Sequence, residues 1–195
     1  MTRIILASGS VYRREMLSRL GLEFEVVPAN IDETARDGEA GQALAERLAL
    51  EKARAVAKDY PDAIVIGADQ VADCGGKLLG KPGDAERARA QLAQVSGQTV
   101  VFYSAMALIR GNQHLHCVVP TRLRMRKLGP DRIAAYVERD KPFDCAGAMR
   151  SESLGVALVE AIESDDPTAL IGLPMIRCVQ MLERFGVDCL GPARC

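Results

Sequence analysis

The six residues Ala63-Ile64-Val65-Ile66-Gly67-Ala68 run without a polar interruption into Asp69-Gln70. A stretch that is apolar at every position, rather than at alternate ones, is the pattern of a strand covered on both faces. Such a strand needs a layer above it and a layer below, so it points to a sheet with helices packed around it. It also places a carboxylate, Asp69, at the strand's end.

The rest of the chain supplies those layers. Ile4-Ile5-Leu6-Ala7 reads as a short strand that stops at Ser8-Gly9-Ser10, and a helical pattern follows with Met16, Leu17 and Leu20 on one face. Ser10 suits the helix N-cap and Gly21 the stop. Glu23 to Val27 reads as a strand ended by Pro28, Asn30 to Gly41 as a polar loop, and Gln42 to Lys58 as a helix. Cys74-Gly75-Gly76-Lys77 reads as a hairpin turn, since two-residue turns demand positive φ angles. Asp84 to Val95 is a capped helix closed by Ser96-Gly97, and Thr99 to Ile109 and His114 to Lys127 form an antiparallel pair across Gly111-Asn112-Gln113. A helix over Asp131 to Arg139, an irregular stretch from Lys141 to Ser153, a strand over Leu154 to Ile162 and a helix from Pro174 to Phe185 complete the chain, with Pro at that helix's first position. The fold class is α/β with a mixed sheet.

Composition excludes several classes. With 25 Lys+Arg against 26 Asp+Glu, the net charge of −1 speaks against a protein that tracks nucleic-acid phosphates by bulk electrostatics. No apolar run reaches the ~18 residues of a membrane span, and the stretch after Met1-Thr2-Arg3 is too short for a signal peptide. A cytoplasmic protein is the expectation. Cys74, Cys117, Cys145, Cys178, Cys189 and Cys195 lack C-x-x-C spacing and read as reduced thiols.

Three groups of residues could carry chemistry. A glycine turn between a strand and a helix, Ser8-Gly9-Ser10, aims backbone N–H groups at one spot, with hydroxyls from Ser8 and Ser10 and donors from Arg13. It suits a phosphate, although an ordinary capped helix has the same text. If the Gly75-Gly76 hairpin folds the chain back, Asp69 and Lys81 lie on neighbouring strands facing one cleft. Asp32 and Glu33 precede a helix bearing Lys52, and Glu33 with Asp69 would give two oxygen ligands for one hard cation. Each also reads as a surface charge. His114 and His116 share a strand face without a third ligand, and Arg122, Arg124 and Arg126 alternate with Leu123 and Met125 as a solvated face.

Taken together, Leu6-Ala7-Ser8-Gly9-Ser10 with Arg13-Arg14, Gly67-Ala68-Asp69-Gln70-Val71, Gly80-Lys81-Pro82, Ser96-Gly97 and Gly172-Leu173-Pro174 resemble the Maf family of nucleoside triphosphate pyrophosphatases, in family order along almost the whole chain. The resemblance implies a long curved mixed sheet and two lobes around a cleft, a form shared with inosine triphosphate pyrophosphatases, in a single functional unit. It also implies a divalent metal (Mg2+, Mn2+ or Co2+) and cleavage between the α and β phosphates. On the matching positions, Asp69 resembles the family's catalytic proton acceptor, Glu33 its second carboxylate, and Ser8, Ser10, Arg13, Lys52 and Lys81 its phosphate-binding set. A homodimer is a further family expectation.

Tyr12, Gln70 and Glu152 fall where the family's branches differ. With Phe143-Asp144-Cys145-Ala146-Gly147 they resemble the branch that hydrolyses 7-methyl-GTP, rather than the dTTP/UTP branch, which resembles Arg, Thr and Gln there. Methylation at N7 makes the guanine ring cationic, which favours an aromatic face at position 12 by ~0.5 to 2 kcal/mol. Glu152 can accept from the N1–H and 2-amino edge. The same reaction on dTTP, UTP or deaminated purine triphosphates is the alternative, and a non-catalytic nucleotide-binding regulator of cell division is another.

Overall fold

The computed structural model describes residues 2–191; Met1 and Cys195 lie outside the described residues. Strands β1 (Ile4–Leu6), β2 (Glu25–Val26), β3 (Ile64–Cys74), β4 (Lys77–Leu79), β5 (Thr99–Arg110), β6 (Gln113–Met125) and β7 (Val159–Ser164) form one mixed sheet. Its order is β2-β1-β3-β5-β6-β7, with β4 paired to β3. β1 runs parallel to β2 and β3, and the other pairings are antiparallel. The helices are α1 (Val11–Ser18), α2 (Gly41–Ala57), α3 (Ala85–Val95), α4 (Pro130–Asp140) and α5 (Met175–Arg184).

Side chains of a strand alternate between faces, and here the alternation sorts the core. Ile64, Ile66 and Ala68 pack with Met16 and Leu17 of α1 and Cys178 and Leu182 of α5. Val65 packs with Ala53 and Val56 of α2 on the other face, and Val71 with Leu44 and Leu48 of the same helix. Beyond them, Ala72 and Cys74 join Phe102 and Leu123 against Leu92 of α3 and Ile133 and Val137 of α4. The all-apolar run is thus covered on both sides, as its text requires.

Gly67 explains itself in this packing. A Cβ at that position would strike the Ala49 carbonyl oxygen and the Ala53 backbone nitrogen. The α2 backbone therefore lies directly on β3 at a point where only glycine fits. The Gly75-Gly76 turn also calls for glycine, with φ of 61° and 89°, and it folds β4 back onto β3.

Several expectations need correction. Asp69 stands in the middle of β3 rather than at a strand end, because β5 continues the ladder from Val65↔Ile109 to Asp73↔Val101. Leu154–Leu158 is a 3-10 turn, and the strand begins only at Val159, where β6 offers a partner at Met125. The strand expected over Glu23 to Val27 is limited to the two residues that pair with Ile5 and Leu6 of β1. Pro174 caps α5 from outside instead of opening it. Arg122 and Arg124 are exposed while Leu123 and Met125 are buried, as the alternation required, and β7 answers the stripe with Glu163 opposite Arg122 and Glu160 bonded to Arg124. His116 pairs with Glu46.

Candidate active site

The sheet has an opening on one edge of β3. β1 pairs with β3 only as far as Leu6↔Ile66, and β4 pairs with it only from Leu79↔Ala72 onward. Between those limits, Gly67 to Val71 have no strand partner on that side among the described residues. Both flanking strands run toward the opening, so the residues just past their ends, Ser8-Gly9-Ser10 and Gly80-Lys81, are delivered to it from opposite directions. A cleft of about 860 Å3 occupies the place, lined from both sides of the opening by Ser8, Arg13, Lys52, Asp69 and Lys81. Lys81 is exposed and lies two residues beyond β4, so it and Asp69 share the cleft but not neighbouring strands.

Asp69 is buried, on the α2 side of β3. Lys52, also buried, donates from Nζ to Asp69 Oδ1 at 2.7 Å and lies 2.9 Å from Glu33 Oε1. Two carboxylates therefore converge on one point charge. The close seat of α2 on Gly67 makes this contact possible, since Lys52 projects from the turn beside Ala49 and Ala53. Glu33 comes from the loop before α2, which Arg47 fastens by donating to the Thr34 carbonyl at 3.1 Å and to Glu39 at 2.7 and 2.8 Å. This pairing with Arg47, helped by the Arg36 N–H, holds the Glu39 carboxyl down at about 2.

At the end of β1, Ser8 is buried and its Oγ accepts from the Arg13 guanidinium at 3.2 Å and from the Ser10 N–H at 3.3 Å. Ser10 caps α1, accepting from the Arg13 N–H at 3.4 Å. Arg13 also donates from Nε to the Gly172 carbonyl at 3.0 Å. Burial pushes its pKa down, while Asp69 and Glu33 oppose that shift. The guanidinium is held by fixed oxygens and faces the same two carboxylates.

Gln70 points to the opposite face from Asp69. Its Nε2 donates to the Ala169 and Leu170 carbonyls, each at 3.0 Å, and lies 2.9 Å from Ser104 Oγ. The amide nitrogen is thus committed to the turn between β7 and α5. That turn is fixed by Asp166, which accepts from Thr168 and from the Ile176 and Arg177 N–H groups at the start of α5. Asp166, Thr168 and Ser104 escape a reading of the text. The available signals are an aspartate before Pro167, which suits a helix cap, and a lone hydroxyl in an apolar strand.

Tyr12 and Glu152 line the cleft together with Asp144 and Cys145. The Tyr12 hydroxyl is 4.0 Å from Cys145 Sγ, and burial, with Cys145 and Asp144 nearby, pushes its pKa up to about 12. Arg150, also unforeseen, pairs with Asp144 at 3.3 Å and stands 3.9 Å from Glu152. The loop that carries them is tied back by the Arg150 N–H donating to Tyr136 Oη and by Ser153 donating to the buried Asp140.

A metal site was expected at Glu33 and Asp69. Among the described residues no three His, Cys, Asp or Glu side chains gather to hold an ion. The two carboxylates that do converge offer hard oxygen donors only, and they already meet at a positive charge. That pair fits an ion that keeps most of its waters and takes its other ligands from phosphate. Of the cysteines, Cys74, Cys117, Cys145, Cys178 and Cys189 are free thiols.

Residues 3–185 match the family described as Maf-like protein. The chain is 51% identical over 186 residues to a 7-methyl-GTP pyrophosphatase of Xanthomonas axonopodis pv. citri, covering 95% of this chain and 98% of that one. It is 50% identical over 186 residues to a 7-methyl-GTP pyrophosphatase of Bordetella pertussis, covering 95% and 94%. In fold it is similar to the Staphylococcus aureus Ham1 protein, with a TM-score of 0.56 at 13% identity, covering 95% of this chain and all of that one. A family match that takes in every strand and helix described above, together with relatives identical at half their positions, makes this chain a member of the Maf family.

Proposed function

We propose that the chain hydrolyses 7-methyl-GTP to 7-methyl-GMP and pyrophosphate. The observation that carries this reading is a single cleft in which Tyr12 and Glu152 stand with Ser8, Arg13, Lys52, Lys81, Glu33 and Asp69. One group suits a cationic ring with hydrogen-bond donors on its edge, and the other a polyphosphate. The relatives named above carry the same activity in their names.

In this reading Arg13, Lys81 and the Ser8 and Ser10 turn bind the phosphate oxygens and hold the leaving pyrophosphate. Asp69 accepts a proton from the attacking water as the water oxygen bonds to the α phosphorus and the α–β bridging bond breaks. Lys52, fixed between Asp69 and Glu33, keeps both carboxylates aimed at one point. A divalent cation held by Asp69 and Glu33 would add charge neutralisation on the phosphate oxygens. Gln70, itself part of the cleft lining, acts on specificity by holding the turn that supports Arg13. The enzyme works on free nucleotide, in the cytoplasm, as one unit with a homodimer as its assembly; the near-neutral charge supports the first point.

The test is pyrophosphate release with added Mg2+, Mn2+ or Co2+ across 7-methyl-GTP, GTP, dTTP and UTP. The expected order places 7-methyl-GTP first in kcat/KM; UTP ahead of it would overturn the specificity, and no release from any of them would leave a nucleotide-binding regulator. Replacing Asp69 by Asn should lower kcat by about 100- to 10,000-fold, the usual worth of a general base, while nucleotide binding by calorimetry survives. Substantial turnover in that variant removes Asp69 from the chemistry.

A further inference from the structure

Two separate groups of ion pairs line the cleft. Lys52, Asp69 and Glu33 make one, with Arg13 near enough to feel both its carboxylates, and Asp144, Arg150 and Glu152 make the other; among the described residues no ion pair joins them. In the second network the two carboxylates line the cleft, while Arg150 stands behind them. That single guanidinium serves both, at 3.3 Å from Asp144 and 3.9 Å from Glu152, and its buried Nε completes no hydrogen bond. Two acids sharing one cation leave the wall beside Tyr12 with an excess of one negative charge.

We propose that Asp144 is a specificity-determining residue that selects a positively charged ring over its neutral counterpart. The inference rests on the function proposed above and names what that function still lacks. Guanine and 7-methylguanine present the same N1–H and 2-amino edge to Glu152, so that contact cannot tell them apart. They differ by a methyl group and a unit charge. The face of Tyr12 responds to the charge through its quadrupole, which acts only at short range. A carboxylate fixed beside the same ring responds through a full charge. Asp144 lies next to Cys145, whose Sγ touches the Tyr12 hydroxyl, and its field is felt at that phenol. Cleft and ligand then match in polarity: cationic ring against the Asp144 wall, phosphate anion against Arg13 and Lys81.

The side chain of Asp144 is 63% exposed, so the selectivity it adds is modest. The readout is the ratio of dissociation constants for GMP and 7-methyl-GMP, measured by calorimetry in slightly acidic buffer with the protein as it is. Asp144→Asn should lower this preference for the methylated nucleotide about threefold, as expected of a partly solvated charge contact. Asp144→Glu should restore it. An unchanged ratio in Asp144→Asn, or a preference already absent from the unaltered protein, overturns the inference. Failure of the unaltered protein to hydrolyse 7-methyl-GTP is a separate result, read by pyrophosphate release, and sinks the underlying function as well.

Discussion

Lys52 is the residue whose surroundings leave it least freedom. Its ammonium is buried, and two carboxylates lie within 3 Å of it. A charged pair out of water is costly to break, because the survivor is left without a partner. Lys52→Met should therefore destabilise the fold by about 3 kcal/mol, measured by urea unfolding. A loss well under 1 kcal/mol would show that water already reaches the pair. Tyr12 offers a titration in the opposite sense. Its phenol ionises at about 12 in the folded chain against 10.0 for an unperturbed tyrosine, so above pH 10 the unfolded chain sheds this proton first. Stability should fall as pH rises from about 10 toward 12, and Tyr12→Phe should flatten part of that slope in a thermal-melt series. An identical slope in both proteins would place the titration elsewhere. Neither residue's setting could be read from its neighbours in the text, since Lys52 looks like any helix lysine until the partner strand is known.

At the scale of elements, the seat of α2 on β3 decides whether Lys52 meets Asp69. The sequence shows Gly67 as part of an apolar strand, and the strand, its two covered faces and the hairpin after it are all legible from pattern. What pattern does not reveal is that the strand carries on through Asp69 and Gln70, because two polar residues in a row look like an ending. Pairing with β5 overrides that local signal. The same gap in information misplaces Leu154–Leu158, whose conformation depends on β6 running out of edge. Gly67→Ala should push α2 outward and draw Lys52 away from Asp69. The expected result is a loss of about 1 to 3 kcal/mol of stability, as for other overpacked cores, and a fall in kcat larger than any rise in KM. A variant with normal kcat would mean that the helix position does not govern the acid.

For the whole molecule, the question is whether the two sides of the cleft act together. β3 begins among Ile4, Leu6 and Leu182 and ends among Leu92, Phe102 and Val137, so one strand passes through separate hydrophobic clusters with Asp69 between them. A nucleotide that spans the cleft should slow amide exchange in two places distant in sequence, Ser8 to Arg13 and Asp144 to Glu152. Hydrogen-exchange mass spectrometry with 7-methyl-GMP and pyrophosphate present would show it. Protection confined to one segment would mean that the ligand lies on one side only. No described helix is long and apolar enough to cross a membrane, in line with the short apolar runs of the sequence. The global fold was legible because hydrophobic period reports on layers. The pairing of Glu33 with Asp69 could be read from residue types, while the arrival of Ser8 and Lys52 at the same place was legible only through family likeness, because period carries no information about which loops meet.

The interrupted edge of β3 sets a rule for how this cleft can change. Gly67 to Val71 extends roughly 17 Å at the strand rise of ~3.3 Å per residue, and it is framed by the ends of two ladders rather than by loose loops. Its length is therefore quantised. Extending β4 by a single pair would remove one residue's worth of room and turn the side chain that follows to the other face. Ligand size in such an architecture changes by whole steps at the strand termini, while exchanges of side chain within the frame adjust only which ring is welcome.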